Sequence, residues 1–406
     1  VKLDSSQLAA VAHAVGSRFA IINGGAGTGK TTIIKQIADD LTGNREKVNL
    51  CAFAGKAAAR VRDATKYPAS TIHRMLDFRG DSVGFMLDSL RGVSVIVDEA
   101  SMIDSALLSE IITRNPKRLV LVGDQAQLPP VGAGQPFHDL IELCPELVKT
   151  LTTCYRQTEA VFQAASTIRA GQVPPMHAES PGERWDVVAV KDADAAHAKV
   201  MDLVRSGDVD FTQDILLTCR NGDSGEESMP ASVKRLNHDI KAMVNPNADG
   251  STGKFRAGDR VINTKNNPAL DIWNGTTGTV LFVDTAGTVQ IKLDTKIIDH
   301  GRSLPRDIVY TDQVTLPKEW NKHLELAYAL TVHKSQGSQY RKVWFLCLAR
   351  DCVTLLDRPM IYTAVTRTQK QCTVIGELAA FRRAIGTVRT KRTVLQEINK
   401  AENGAK

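Results

Sequence analysis

Through the first part of the chain, short runs of consecutive apolar, mostly β-branched residues alternate with longer stretches whose apolar positions recur every three or four residues. The runs at 19–23, 48–53, 93–97 and 118–122 predict strands, and the stretches at 31–41 and 55–64 predict helices. Strands that are apolar on both faces and separated by amphipathic helices are satisfied by a parallel sheet with helices packed on it. The rhythm breaks at 77–90, where Phe78, Arg79, Gly80, Asp81, Val83 and Phe85 form a turn between two apolar stretches. This segment predicts a small hairpin projecting from the first α/β domain, which spans residues 1–157.

A helical pattern at 159–170 stops at Gly171, and Pro174-Pro175 separates it from a second series that begins near Trp185. Strands are expected there at 214–218, 341–348 and 372–375. Between them, residues 253–323 change character. The turn dipeptides Gly258-Asp259, Asn274-Gly275 and Ala286-Gly287 punctuate short alternating strands such as 279–283 and 288–293. That pattern predicts a small all-β barrel or sandwich inserted into a second α/β domain made of residues 158–252 and 324–406. The polar, basic tail beyond Arg389 is expected to fray.

Composition narrows the picture only slightly. A chain of 406 residues with 43% hydrophobic residues can bury at least two cores. The net charge of +6 comes from 51 basic against 45 acidic residues, too even a balance to name a polyanionic partner. No two of the seven cysteines, Cys51, Cys144, Cys154, Cys219, Cys347, Cys352 and Cys372, have the two-residue gap favoured by structural zinc sites, so reduced thiols are expected. No apolar run approaches the length that spans a bilayer, and no leader pattern stands at the start; a soluble cytoplasmic protein without a membrane partner is the expectation.

The candidate chemistry is more specific. Gly24-Gly25-Ala26-Gly27-Thr28-Gly29-Lys30-Thr31 follows a predicted strand and opens a predicted helix. In that context the glycines let backbone N–H groups wrap phosphates, Lys30 brings a cation to the outer phosphates, and the Thr31 hydroxyl can ligate Mg²⁺. Thr32 follows at the helix start, so Gly25–Thr32 form the expected cradle for ATP. The apolar strand ending Val97-Asp98-Glu99 supplies the second requirement. Asp98 is expected to hold Mg²⁺ through water and Glu99 to polarise the attacking water as general base. Together these motifs establish a nucleoside triphosphatase, a class that includes kinases, GTPases, transporters and motors.

Five further segments choose among those. They are 71–76 (Thr-Ile-His-Arg-Met-Leu), 122–131 (Val-Gly-Asp-Gln-Ala-Gln-Leu-Pro-Pro-Val), Tyr155-Arg156-Gln157, 332–338 (Val-His-Lys-Ser-Gln-Gly-Ser) and 362–367 (Tyr-Thr-Ala-Val-Thr-Arg). With them the chain resembles superfamily 1 helicases, in particular the RecD-like and Dda-like branch (superfamily 1B), in the family's order from the Leu3-Asp4-Ser5-Ser6-Gln7 segment to Arg367. The resemblance implies two RecA-like P-loop domains with a pin-like hairpin at 77–90 and an inserted SH3-like barrel at 253–323. It further implies that Gln7 recognises adenine, that Gln127 senses the γ-phosphate, that Gly337 lies against the nucleotide, and that Arg156 and Arg367 are arginine fingers. An arginine supplied by a second domain makes hydrolysis depend on closure. Lys56, Thr71 and His73 in the first half, and His333, Lys334 and Ser335 in the second, match segments that face a nucleic-acid backbone, where such side chains give register without reading sequence.

Two positions depart from the family pattern. Phe53-Ala54 stands before Gly55-Lys56 where relatives commonly carry Pro-Thr, which removes a hydroxyl and presents a ring that either stacks on a base or joins the core. Gln339 stands where many relatives have Glu. The expected activity is ATP-dependent, 5′-to-3′ translocation on single-stranded DNA with strand separation at single-strand/duplex junctions, by a chain active as a monomer. The polarity comes from the resemblance, whereas DNA repair, replication and recombination all stay open as the setting. An RNA helicase of the same superfamily and a DNA-bound ATPase switch that never unwinds are the rival readings.

Overall fold

The computed structural model describes residues 3–80, 82–155, 159–222, 229–246, 253–298, 309–389, 391 and 393–397. Two compact units divide the chain, residues 1–157 with 389–406, and residues 158–388. The last residues therefore group with the first unit, where the sequence pattern had assigned them to the second. Among the described tail residues, the Lys391 ammonium donates to the carbonyl oxygens of Pro130 and Gly132.

The first unit runs α1 (Ser5–Gly16), β1 (Phe19–Gly24), α2 (Lys30–Gly43), β2 (Lys47–Ala52), α3 (Gly55–Thr65), β3 (Ala69–Thr71) and α4 (Ile72–Met75). It continues β4 (Val93–Asp98), α5 (Ser105–Thr113), β5 (Arg118–Gly123), α6 (Pro136–Leu143) and β6 (Val148–Leu151). The strands form one parallel sheet in the order β3-β2-β4-β5-β1-β6. Because strand side chains alternate between faces, Ala20, Ile22, Ile96, Val120 and Val122 pack under α1 and α2, while Ile21, Val95, Val97, Leu119 and Leu121 pack under α5 and α6. Burial on both faces is why these strands read as unbroken apolar runs. The edge strands β3 and β6, of three and four residues, have no such run and escaped the sequence pattern.

The second unit runs α7 (Ala160–Arg169), β7 (His177–Ser180), β8 (Glu183–Ala189), α8 (Ala193–Arg205), β9 (Ile215–Thr218) and α9 (Val233–Val244). Five strands follow, β10 (Arg260–Asn263), β11 (Thr277–Val283), β12 (Val289–Ile298), β13 (Tyr310–Leu316) and β14 (Leu324–Leu326). The unit closes with β15 (Ala329–Thr331), β16 (Tyr340–Cys347), α10 (Arg358–Val365), β17 (Thr368–Gly376) and α11 (Leu378–Gly386). Its main sheet has the order β15-β9-β16-β17-β8-β7, parallel except for the β7–β8 pair. The five inserted strands pair antiparallel in the order β13-β12-β11-β10-β14 around their own core of Phe255, Val261, Val280, Ile291, Val314 and Leu316.

The cysteines are all free: Cys51, Cys219, Cys347, Cys352 and Cys372 are buried, and Cys144 and Cys154 are half-buried. Among the described residues no helix is long and apolar enough to cross a membrane.

Candidate functional site

Sheet order decides which loops of the first unit can meet. The carboxyl ends of β2, β4, β5 and β1 are successive neighbours, roughly 5 Å apart. Read across that edge they carry α3 with Lys56, the Asp98-Glu99 pair, the loop with Gln127, and the phosphate-loop glycines. Ligands of open α/β sheets bind at such carboxyl ends.

The loop from Gly24 to Lys30 has the backbone freedom its glycines predict. Gly27 and Gly29 hold φ of 74° and 81°, the left-handed region that costs other residues. A Cβ on Gly24 would sit 2.7 Å from Thr28 Oγ1 and 2.9 Å from a Leu151 methyl, so the first glycine answers to packing instead. Thr28 Oγ1 donates to the Gly25 carbonyl at 2.9 Å, and Lys30 Nζ donates to the carbonyls of Gly24 and Gly25 at 2.7 and 2.9 Å. Lys30 thus lies along the loop it serves, its ammonium parked on carbonyls that a phosphate oxygen would replace. Thr31 and Thr32 follow in the first turn of α2, half-buried.

At the end of β4, Asp98 and Glu99 are both buried. Glu99 has φ 52°, a left-handed conformation that a non-glycine residue adopts at a cost of about 1 kcal/mol or more, and it turns the chain from strand into a short 3₁₀ turn at Ala100–Met102. Burial and the neighbouring Glu99 push the Asp98 carboxyl above the usual carboxylate range, with Arg60 and Lys30 opposing. Arg60 Nη2 lies 2.9 Å from Glu99 Oε1 and 3.5 Å from Asp98 Oδ2. The sequence reading missed this arginine; its only signal is its place one helical turn after Lys56 in α3. Asp98 Oδ1 is buried with no hydrogen-bond partner, an orphaned acceptor that fits the water shell or ligand sphere of a divalent cation. Asp98 with Thr31 therefore suits Mg²⁺.

The amino-terminal helix contributes from the side. Asp4 and Gln7 form a reciprocal capping box, the Gln7 amide N–H donating to Asp4 Oδ1 and the Asp4 N–H to Gln7 Oε1. Gln7 Nε2 then donates to the Thr28 carbonyl at 3.1 Å, which fixes Gln7 beside the phosphate loop. The Tyr155 hydroxyl lies 2.7 Å from Asp4 Oδ2 and 2.9 Å from Gln7 Oε1, so it closes the same corner. Gln127 is buried, its N–H donating to the Asp124 carbonyl, and Asn23 Oδ1 at the end of β1 accepts from the Gln125 N–H. Asn23 is a second contributor that sequence reasoning passed over. Arg156 lies outside the described residues.

The residues expected to face a strand divide into two kinds. Lys56 is half-buried at the start of α3, whose N-cap Ala54 supplies no side-chain acceptor. Thr71 is buried, its Oγ1 accepting the Arg74 N–H as the cap of α4. His73 sits among Phe53, Phe78 and Phe85, with ring centroids 6.3, 5.5 and 5.7 Å away, and burial holds its imidazole below the ordinary range. Phe53 is accordingly a member of an aromatic cluster. After α4 the chain turns back on itself: Phe78 and Phe85 form a bridge with rings 5.1 Å apart, and Val83 and Met86 present their side chains outward, 58% and 51% exposed.

In the second unit, His333–Ser335 form a 3₁₀ turn after β15. Lys334 Nζ pairs with Glu325 at 2.7 Å, His333 is half-buried, and buried Ser335 donates its hydroxyl to the Val332 carbonyl, so that hydroxyl holds the turn. Gly337 has φ 75°. Arg367 is 2% exposed; its Nε donates to the Thr363 carbonyl at 3.1 Å and its Nη1 to the Ser338 carbonyl at 3.4 Å. Arg367 and the 333–338 segment are therefore linked within this unit, although 29 residues separate Ser338 from Arg367.

Comparison with known proteins adds independent observations. Residues 2–211 match the AAA domain family and residues 326–375 the UvrD-like helicase C-terminal domain family. The chain is 32% identical over 96% of its length to the ATP-dependent RecD2 DNA helicase of Deinococcus radiodurans, of which it spans 51%. It is 29% identical over 96% of its length to the RecBCD enzyme subunit RecD of Mycolicibacterium smegmatis, of which it spans 74%. Its fold is similar to that of the Pif1 helicase of Bacteroides in complex with ADP-AlF3 and ssDNA, at TM-score 0.56 and 17% identity over 100% of this chain and 98% of that one. The Pif1 helicase of Candida albicans has the same TM-score at 18% identity, with both chains covered completely.

Proposed function

The chain belongs to the RecD-like helicases of superfamily 1B, and on that premise we propose that it is an ATP-driven motor that moves 5′ to 3′ along single-stranded DNA and separates strands at junctions. The observation that carries this reading is the sheet edge of the first unit. There one row of four adjacent strand ends carries the phosphate-loop glycines, the Asp98-Glu99 pair and α3 with Lys56, which supports reading it as a hydrolytic site beside a strand-facing segment. A nucleotide at that edge acts on the same elements that touch a strand.

The residues take the following parts. Amides of Gly25–Gly29 and the N-terminus of α2 receive the phosphates, and Lys30 moves from the Gly24 and Gly25 carbonyls to the outer phosphates. Thr31 and Asp98 would hold Mg²⁺, which supplies charge neutralisation on the transferring phosphoryl group. Glu99 accepts the proton of the attacking water, and buried Gln127 reports the γ-phosphate. Gln7, braced by Thr28 and Tyr155, orients the base. Arg156 and Arg367 add cationic charge from the later motifs, Arg367 after leaving the Thr363 and Ser338 carbonyls. Lys56, Thr71, His73, His333, Lys334 and Ser335 belong to the strand-facing segments, with Thr71 and Ser335 acting by shaping their turns. The inserted five-stranded sheet is read as the SH3-like barrel of this branch, and the turn at 77–90 as its pin.

Net movement needs states that nucleotide distinguishes, since a ligand bound equally well by open and closed forms moves nothing. The decisive experiment compares duplexes with 5′ or 3′ single-stranded tails and an RNA duplex, each with ATP and Mg²⁺. Separation of the 5′-tailed DNA alone supports the proposal. Stimulated ATPase without separation of any substrate reduces the chain to a switch, and preference for RNA transfers it to the other branch.

A further inference from the structure

One arginine at the hydrolytic edge has no part in the mechanism above. Asp98 and Glu99 place two adjacent carboxylates in near-complete burial, an arrangement that needs a cation close by. Lys30, the cation the motif supplies, is engaged on the loop carbonyls. A guanidinium from another element touches the pair directly. Arg60 projects from α3, which starts three residues after the β2 terminus Ala52, and Ala52 stands in register with Asp98 across one strand spacing. A guanidinium stem can span that gap, and Arg60 Nη2 meets Glu99 Oε1 at 2.9 Å and Asp98 Oδ2 at 3.5 Å.

The contact is strong enough to form and incomplete enough to break. A guanidinium best engages a carboxylate through two parallel hydrogen bonds. Here one nitrogen is shared between two carboxylates, while Arg60 Nε is buried without a hydrogen-bond partner. The helix that carries it also carries Lys56 four residues earlier, on the same face. No side chain caps that helix start, because Ala54 occupies the N-cap.

From this geometry we infer that Arg60 is a positioning residue that restrains Glu99 until a strand engages α3, so that the single helix Gly55–Thr65 couples strand contact to hydrolysis. With Arg60 on its Oε1, the Glu99 carboxylate is held in its charged form and is a weaker base toward a water, and the guanidinium also lies against Asp98. A strand that draws the Lys56 end of α3 toward its phosphates shifts Arg60 off both carboxylates. The inference rests on the motor reading, since it needs a strand at α3.

The test measures ATP turnover without and with single-stranded DNA, and ADP affinity with and without Mg²⁺, in the full chain and in Arg60→Ala, Arg60→Gln and Arg60→Lys. Arg60→Ala is expected to raise DNA-free turnover about five-fold and to shrink the stimulation ratio by the same factor, the scale of a partly exposed ion pair. Arg60→Lys, which keeps the cation, should return the low DNA-free rate. The Mg²⁺-dependent gain in ADP affinity should grow several-fold in Arg60→Ala, because the ion no longer displaces a guanidinium from Asp98. Arg60→Gln keeps much of the stem packing and serves the same readouts if the alanine chain is unstable. A DNA-free rate at or below that of the unmodified chain, with an unchanged stimulation ratio, overturns the inference, as does an unchanged Mg²⁺-dependent gain. An unmodified chain whose turnover ignores DNA would instead defeat the motor reading, and the Mg²⁺-dependent gain would then decide Arg60 alone.

Discussion

Gly29→Ala puts the local geometry of the nucleotide edge to a quantitative test. Gly29 caps α2 at φ 81° and ψ 25°, where an L side chain costs roughly 1–2 kcal/mol. The added Cβ would also stand 2.6 Å from Gln7 Nε2, so the amide must retreat by about an ångström to reach ordinary contact distance. That movement breaks the Gln7 bond to the Thr28 carbonyl, worth about 1 kcal/mol when the groups are buried. The first unit should therefore lose about 2–3 kcal/mol, which for a unit of this size lowers its calorimetric midpoint by roughly 5–10 °C. Gly43→Ala is the matched control: it lies in α2 with nothing within 4 Å of the new Cβ, and it should be neutral or stabilise by up to about 1 kcal/mol. Scanning calorimetry of both variants, with ADP binding measured alongside, reads the effect. A Gly29→Ala midpoint within a degree of Gly43→Ala, with unaltered ADP affinity, would refute both the left-handed cap and the bracing role of Gln7.

Three other outcomes are expected. Glu99→Gln keeps the strained backbone and the site's shape but removes the base, so nucleotide binding should persist while steady-state ATPase falls by about 10²-fold or more; normal turnover would reject the assignment. Burial holds the His73 imidazole below its ordinary range, the nearby Asp104 carboxylate opposing only in part, so the unfolded chain takes up a proton first on acidification. The stability neutral His73 provides is complete well above pH 6.5 or so and is lost as the pH falls through that value, so denaturant midpoints of the unmodified chain should drop toward pH 5.5 more steeply than those of His73→Phe; parallel curves would show that His73 is not the group responsible. Replacing Val83 and Met86 together by Ser should leave DNA-stimulated ATPase intact and reduce strand separation per ATP, and an unchanged ratio in a strand-displacement assay would remove the turn from the separation step.

Contiguous motifs were legible because their physics is local. The phosphate loop needs φ > 0 at fixed places before a helix, and Gly27 and Gly29 meet that need within the string itself. Strands buried on both faces announced themselves as apolar runs, as did the alternation of the inserted sheet. What depends on neighbours across the fold was not legible. Arg60 is an ordinary helix arginine until β2 is known to lie beside β4, and Asn23 is a strand terminus until β5 is known to lie beside β1. The aromatic residues at 77–90 show the same limit. Phe78 and Phe85 are the rings of this segment in the sequence, but aromatic surface gains most from burial, and they pack on each other and on His73. The smaller Val83 and the flexible Met86 are left outside. Thr71 and Ser335 were read as hydroxyls for a phosphate, and both hydroxyls bond to their own backbone.

The distribution of thiols gives the two units separate chemical clocks. Burial pushes the Cys372 thiol up to about 12, and Cys219 and Cys347 rise for the same reason, so in the second unit the buried sulfurs meet an alkylating reagent only when that unit opens. In the first unit Cys51 is sealed in the sheet, whereas half-buried Cys154 lies 3.7 Å from the Ala26 carbonyl of the phosphate loop. Its rate of alkylation is expected to follow the state of that loop. One mass spectrum after a brief pulse of reagent thus records, on a native chain without added labels, the opening of each sheet from its sealed cysteines and the occupancy of the nucleotide edge from Cys154.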